Sequence, residues 1–130
     1  MTVVGAINID GWAGADEDND LRTYWAQLPA RAPVPMTEAN VNVSSDVGSG
    51  CTGSFGGPTA PAGKVCVYPI FFPPTLGFGV DTIGAGELNG TGPSLASPTL
   101  FEVRYSINNG GTAGPVNFAA SWAYTAPSLP

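Results

Sequence analysis

Glycine and proline recur so closely along this chain that few stretches are long enough for a helix. The chain contains 18 glycines and 13 prolines among 130 residues. Each of these residues costs roughly 1 to 3 kcal/mol inside a helix. The short runs between them are rich in Val, Thr, Tyr, Phe and Ile, which favour strands. The pattern therefore predicts an all-β protein.

Seven segments between these turn residues have the composition of strands. They cover residues 2–9, 21–28, 39–45, 64–72, 76–83, 99–107 and 116–125. The segment 99–107 alternates apolar residues with polar ones such as Glu102 and Arg104, so we expect one of its faces to meet water. About seven to eight short antiparallel strands are typical of a sandwich or a jelly roll. We therefore predict a single-domain β-sandwich or jelly roll over residues 1–130, with a helical turn at most near residues 16–20.

The charge composition excludes several classes of protein. The chain has 10 acidic and 4 basic residues, a formal charge of −6 and no histidine. Catalytic triads and zinc sites that use histidine are therefore excluded, and two cysteines cannot form an all-cysteine metal site. An acidic chain with so few basic residues lacks the positive face that binds nucleic acid. No stretch approaches the roughly 20 apolar residues of a membrane helix, so we expect no membrane insertion.

Isolated carboxylates are the remaining candidates for catalysis. Glu38, Glu87 and Glu102 could in principle supply a glycosidase pair, which needs two carboxyl groups on either side of the scissile bond. Nothing in their spacing marks two of them as convergent, and acidic residues on strands and turns usually face solvent. We therefore predict that the protein is not an enzyme and needs no organic cofactor.

An acidic run near the N-terminus has part of a calcium-loop pattern. Asp16, Asp18 and Asp20 have the one-three-five spacing of such a loop. The glycine expected at the sixth position is Leu21, and the glutamate expected at the twelfth is Gln27. A Ca²⁺ site at the three aspartates thus stays open, while a solvated acidic loop that aids solubility is the favoured interpretation.

Two cysteines flank a loop rich in glycine and proline. A disulfide between Cys51 and Cys66 would pin this loop and is worth roughly 3 kcal/mol in the chain-entropy model. The alternative is two free, partly buried thiols, as in proteins of reducing compartments. An even pair around a loop without strand character favours the disulfide.

Four aromatic residues are candidates for a subunit interface or for stacking against a glycan: Trp12, Trp25, Tyr68 and Trp122. Aromatic side chains are as common in sandwich cores as in sugar sites, and the core is the favoured interpretation. Trp122 shares its parity with the apolar residues of segment 116–125, so we expect it in the core or in a subunit interface.

The stretch around the two cysteines and the C-terminal sequence resemble a known group of domains. These are the C-terminal head domains that follow collagen-like repeats in actinobacterial and actinophage proteins. The resemblance covers the C-terminal two-thirds of the chain, although no Gly-X-Y stalk is present. The matching residues are Cys51, Pro58-Thr59-Ala60, Ala62-Gly63, Cys66, Val67-Tyr68, Trp122 and Thr125-Ala126-Pro127.

The resemblance implies a compact β head, displayed on a surface or a virion and often trimeric, without a known activity in most members. The N-terminal residues lack the basic region of a signal peptide. Either a leader has been removed, or the protein reaches its destination without secretion, as virion proteins do.

Two functions follow as expectations. The first is a virion structural protein, as a capsid decoration or a tail or fibre-tip subunit. It would form a homo-oligomer, expected to be a homotrimer, and contact other virion proteins. The low density of charged residues fits this function. A monomer of this composition would expose large apolar patches, and such patches mark interfaces. The alternative is a carbohydrate- or receptor-binding head that binds a glycan on the host surface. Either protein would be found on a virion or an extracellular surface.

Overall fold

The computed structural model describes residues 1–70, 80–86 and 98–127, with residues 80–86 described through their backbone. The described residues are mostly strands, and their helical content is two 3-10 turns, Ala15–Glu17 and Glu38–Asn40. The predicted all-β fold class is therefore confirmed. No helix in this part of the chain is long and apolar enough to cross a membrane.

The strands form the two layers of a sandwich. Sheet A has the order β1-β7-β4-β3, and sheet B has the order β2-β6-β5. The strands are β1 (Thr2–Ala13), β2 (Leu21–Gln27), β3 (Val41–Val43), β4 (Val65–Pro69), β5 (Val80–Gly86), β6 (Leu100–Ile107) and β7 (Gly114–Thr125).

The strand pairs are antiparallel with one exception. β3 and β4 run parallel, with Val41 opposite Val65 and Val43 opposite Val67. The expectation of purely antiparallel strands is wrong at this pair. Residues 44–64 form a long connection that carries the chain back to the end of the sheet where β3 begins, and such a return is what parallel neighbours require.

The core lies between the two sheets and is lined by alternate residues of each strand. In β1 the odd-numbered residues face inward, and in β7 the even-numbered residues do so. Phe101 of sheet B meets Trp122 of sheet A edge to face, with ring centroids 5.3 Å apart. Tyr105 of sheet B meets Phe118 of sheet A with its ring tilted by 57°, and the ring centroids lie 5.0 Å apart.

Several strands begin or end away from the predicted positions. β1 continues past Asp10-Gly11 to Ala13, because its partner β7 supplies hydrogen-bonding residues along the whole length. β3 starts only at Val41, because Asn40 Oδ1 accepts hydrogen bonds from the backbone N–H and hydroxyl of Thr37 and holds a turn there.

β4 ends at Pro69, and the last two residues of the predicted segment 64–72 lie outside the described residues. The predicted segment 76–83 lies partly outside them too, and β5 covers Val80–Gly86.

The polar face of β6 differs from the expected wet face. Glu102 is completely buried, although it shares its parity with the partly exposed Arg104. Glu102 Oε1 lies 2.9 Å from Arg104 Nε, so the buried carboxylate is compensated by an ion pair. The expectation that this face meets water is therefore wrong at Glu102.

Candidate functional site: an open sheet edge

The described residues form four sheet edges, and three of them are short, irregular or charged. β3 spans only Val41–Val43. β5 pairs with β6 through an irregular register between Val80 and Ile83. β2 is a seven-residue strand that carries the cation of Arg22. Short, bulged or charged edge strands resist pairing with another chain.

The fourth edge, β1, has none of these features between Thr2 and Ile9. β1 is 12 residues long and pairs with β7 in an unbroken register from Thr2 to Ala13. Its first eight residues contain no charge and no proline, and its first acidic residue is Asp10. A long, regular and uncharged edge strand is a template for pairing with another strand.

Two hydrogen bonds show which backbone groups of β1 point away from β7. The carbonyl of Trp12 accepts a hydrogen bond from Arg22 Nη1 of β2, at 3.0 Å. The carbonyl of Met1, at odd parity, accepts one from the backbone N–H of Ala126 on the β7 side. Since successive residues point to opposite sides, the even-numbered residues direct their N–H and C=O groups outward. We call this row the open edge; its residues are Thr2, Val4, Ala6, Asn8 and Asp10.

The side chains along the open edge are exposed to solvent, and those before the carboxylate of Asp10 are uncharged and either small or apolar. Val4 is 58% exposed, and Ala6 and Asn8 are exposed beside it. Trp12, at the end of the same face, is 64% exposed. The open edge therefore offers both hydrogen-bonding groups and apolar surface.

A groove of about 490 Å³ runs between the edge strands β1 and β2. Val4, Gly5 and Ala6 line one side of it, while Tyr24 and Gln27 line the other. Within the described part of the chain, no acidic or basic side chain lines this groove.

A hydrogen-bonded turn fixes the far end of β1 against β2. Glu17 Oε1 accepts a hydrogen bond from the backbone N–H of Gly14 at 2.6 Å, and Glu17 Oε2 lies 3.1 Å from Arg22 Nη2. The backbone hydrogen bond from Gly14, together with the Arg22 guanidinium, lowers the pKa of the Glu17 carboxyl group. Arg22 thereby joins Glu17 to the carbonyl of Trp12 and ends the open edge at that point.

The acidic run does not assemble into a cation site. Asp18 Oδ1 accepts hydrogen bonds from the backbone N–H groups of Asn109 and Gly110, so this carboxylate anchors the loop between β6 and β7. Among the described residues, no group of three or more acidic residues, cysteines or histidines could hold a metal ion. Asp16 and Asp20 are therefore not brought together with Asp18 as ligands.

The four candidate aromatic residues lie in different places. Trp12 is on the outer face of sheet A, and Trp25, 49% exposed, is on the outer face of sheet B opposite Glu102. Trp122 is in the core, which is one of the two places that its parity predicted. Tyr68 is buried beneath the connection between β3 and β4. No common stacking platform is formed by these four residues.

The predicted disulfide between Cys51 and Cys66 is present, with Cα atoms 5.7 Å apart. It attaches the connection between β3 and β4 to the outer face of sheet A. The hydroxyl of Tyr68 accepts a hydrogen bond from the backbone N–H of Gly53 and donates one to the carbonyl of Thr59. This covered face explains why Ser121, whose side chain points outward from sheet A, is buried.

The three candidate catalytic glutamates do not form an observed pair. Glu102 is engaged by Arg104, as described above. Glu87 lies outside the described residues, as does the side chain of Glu38.

Comparisons with protein-family models, with curated proteins and with solved structures gave no match for this chain. The resemblance to head domains therefore stays a prediction, and the functional argument depends on the geometry of the open edge.

Sequence reasoning missed the open edge. The uncharged run of β1 was visible, but its position at the end of a sheet depends on β7 pairing with it from the far end of the chain.

Proposed function

We propose that this protein is a non-enzymatic structural subunit of a virus particle that assembles with copies of itself, as a capsid decoration or a tail or fibre-tip component. The observation that carries the proposal is the open edge: a regular 12-residue strand with no charge before Asp10 at the border of a sheet. Soluble monomers usually protect such strands, whereas assembling subunits use them.

The surface composition supports the same function. Val4, Trp12, Leu21 and Trp25, on or beside the edge strands, are each about half exposed or more. Val4 and Trp12 lie on the outer face of sheet A, and Leu21 and Trp25 lie on that of sheet B, so each of the two edge strands adds apolar surface to a contact made along it. The net charge of −6 disfavours non-specific association, so contacts between copies would depend on matching strands and apolar side chains.

The alternative of a glycan-binding head receives less support. Such a site needs aromatic and polar side chains that converge, and the four candidate aromatic residues are divided among two opposite faces, the core and the covered side of sheet A. Assembly is the function that the described surface favours.

The oligomeric state and the particle content test this proposal. Light scattering on the protein as it elutes from a sizing column should give a mass at least twice that of the 13.2 kDa chain. Quantitative mass spectrometry of purified particles should find the chain in many copies per particle. A stable monomer at all concentrations, together with its absence from particles, would overturn the proposal.

A further inference from the structure

We propose that the open edge binds the open edge of a second copy, antiparallel and centred on Ala6, so that two copies of sheet A join into one continuous sheet. This inference rests on the proposed function and adds the partner, the contact strand and the register.

The partner is a second copy because the outward N–H and C=O groups of one open edge can form hydrogen bonds with those of another. In an antiparallel pair, residues that face each other exchange both of their backbone hydrogen bonds only if each directs its groups toward the other strand. On β1 those residues are the even-numbered ones of the open edge. Two copies related by a two-fold axis present the same row to each other, as an isologous interface requires.

The register follows from where the open edge begins and ends. Centring the pair on Ala6 places Val4 opposite Asn8 and Thr2 opposite Asp10, so that every residue of the open edge has a partner. Centring it on Ile7 would place Thr2 opposite Trp12, whose carbonyl is already engaged by Arg22. Centring it on Gly5 or closer to the N-terminus would leave Asp10 without a partner.

Charge and size are compatible with this register. The two Asp10 carboxylates would lie at opposite ends of the paired strands, about 27 Å apart along them. At the axis itself, Ala6 would face Ala6, and both residues are exposed and small. The register therefore creates neither a contact between like charges nor a steric overlap at its centre.

This contact defines the symmetry of the assembly. A pair of open edges is closed by a two-fold axis, so the contact alone produces a dimer and not the trimer expected from the resemblance. The joined sheet would contain the four strands of sheet A from each copy. The groove between β1 and β2 of one copy would face the same groove of the other across the axis.

Cysteine cross-linking tests both the surface and the register. The full chain carrying Ala6→Cys is oxidised mildly, separated without reductant and mapped by mass spectrometry. Opposed residues of a hydrogen-bonded pair have Cα atoms about 5.5 Å apart, which suits a disulfide. The matched control is Asn8→Cys on the same strand and face. In the proposed register its two copies are offset by four residues, about 13 Å, which is too far for a disulfide.

We expect most of the Ala6→Cys protein to become a covalent dimer linked through residue 6, and at least tenfold less dimer from Asn8→Cys. The double variant Val4→Cys with Asn8→Cys should cross-link through residue 4 of one copy and residue 8 of the other. Equal cross-linking of the two single variants would overturn the register. An oligomeric wild-type protein whose Ala6→Cys variant fails to cross-link would overturn this inference and leave the proposed function standing. A wild-type protein that stays monomeric would contradict both.

Discussion

Gly5 of β1 lies directly against the indole ring of Trp122 in the neighbouring strand β7. The two residues are opposite each other in the register and both face the core. A Cβ atom at position 5 would lie 2.7 Å from Nε1 of Trp122, closer than carbon and nitrogen approach without displacement. The absence of a side chain at Gly5 therefore lets the largest residue of the core occupy the border between β1 and the groove.

Substitution of Gly5 should destabilise the protein through this contact. We expect Gly5→Ala to lower the free energy of unfolding by about 1 to 3 kcal/mol, as overpacking of a filled core does. The matched control is Gly11→Ala on the same strand, where the nearest atom to a new Cβ is Arg22 Nη1 at 4.0 Å. Urea unfolding of both variants measures the difference. Equal stabilities for the two variants would show that the indole can move aside.

Removal of the Trp122 ring should destabilise the protein more than Gly5→Ala does. Trp122 is 4% exposed and packs edge to face on Phe101. We expect Trp122→Ala to destabilise the protein by about 3 to 5 kcal/mol, because a buried aromatic side chain is replaced by a cavity. Trp12→Ala, at a residue 64% exposed, serves as the control and should change the stability of the monomer by about 0.5 kcal/mol or less. A thermal midpoint of Trp122→Ala equal to that of the wild type would contradict the packing of Trp122 against Phe101 in the core.

The hydroxyl of Tyr68 should stabilise the connection that covers sheet A. It accepts a hydrogen bond from Gly53 N–H at 3.0 Å and donates one to the carbonyl of Thr59. Tyr68→Phe leaves both backbone groups without this partner, so we expect the free energy of unfolding to fall by about 1 to 3 kcal/mol. The control is Tyr24→Phe, since the Tyr24 hydroxyl forms no hydrogen bond with another described residue. Hydrogen exchange at Gly53 should accelerate in Tyr68→Phe and stay unchanged in the control; unchanged exchange in both variants would refute the role of the hydroxyl.

Local sequence patterns predicted those parts of the fold that depend on neighbouring residues. The alternation of Phe118, Trp122 and Tyr124 put these side chains on one face of the strand, because residues two apart share a face, and that face is the one buried in the core. The pairing of Cys51 with Cys66 followed from their position around a loop rich in glycine and proline. Both features can be derived from one stretch of the chain.

Features that depend on strands far apart in the sequence could not be derived in this way. β1 is an edge strand because β7, more than a hundred residues later, occupies one of its sides, while no strand of the described residues occupies the other. Glu102 was expected to face solvent because it belongs to the alternate polar residues of its strand, yet it is buried and paired with Arg104. The parallel pairing of β3 with β4 depends on the path of residues 44–64, which have no periodic pattern. The candidate site is defined by this long-range topology, which local patterns in the sequence do not encode.

The turn that ends the open edge should respond to acid. The Glu17 carboxylate accepts the backbone hydrogen bond of Gly14 and pairs with Arg22, and these contacts lower its pKa below the ordinary value of 4.5. A carboxyl group whose pKa is lower in the folded state stabilises the fold above its unfolded-state pKa. That contribution is lost as the pH falls through the lower, folded-state value. We therefore expect the free energy of unfolding of the wild type to decline as the pH decreases below about 4.5.

The variant Glu17→Gln isolates this contribution, because it keeps the shape of the side chain and removes the charge. We expect Glu17→Gln to be less stable than the wild type at pH 7 and to approach it at low pH, where the wild-type carboxyl group is protonated as well. Asp16→Asn is the matched control on the same turn, since the Asp16 carboxylate accepts no hydrogen bond from a described residue. Urea unfolding of the three proteins between pH 2 and pH 7 measures these curves. If the curve of Glu17→Gln coincided with that of the wild type over the whole range, the charge of Glu17 would contribute nothing to stability, and the end of the open edge would have to be held by the Trp12–Arg22 hydrogen bond alone.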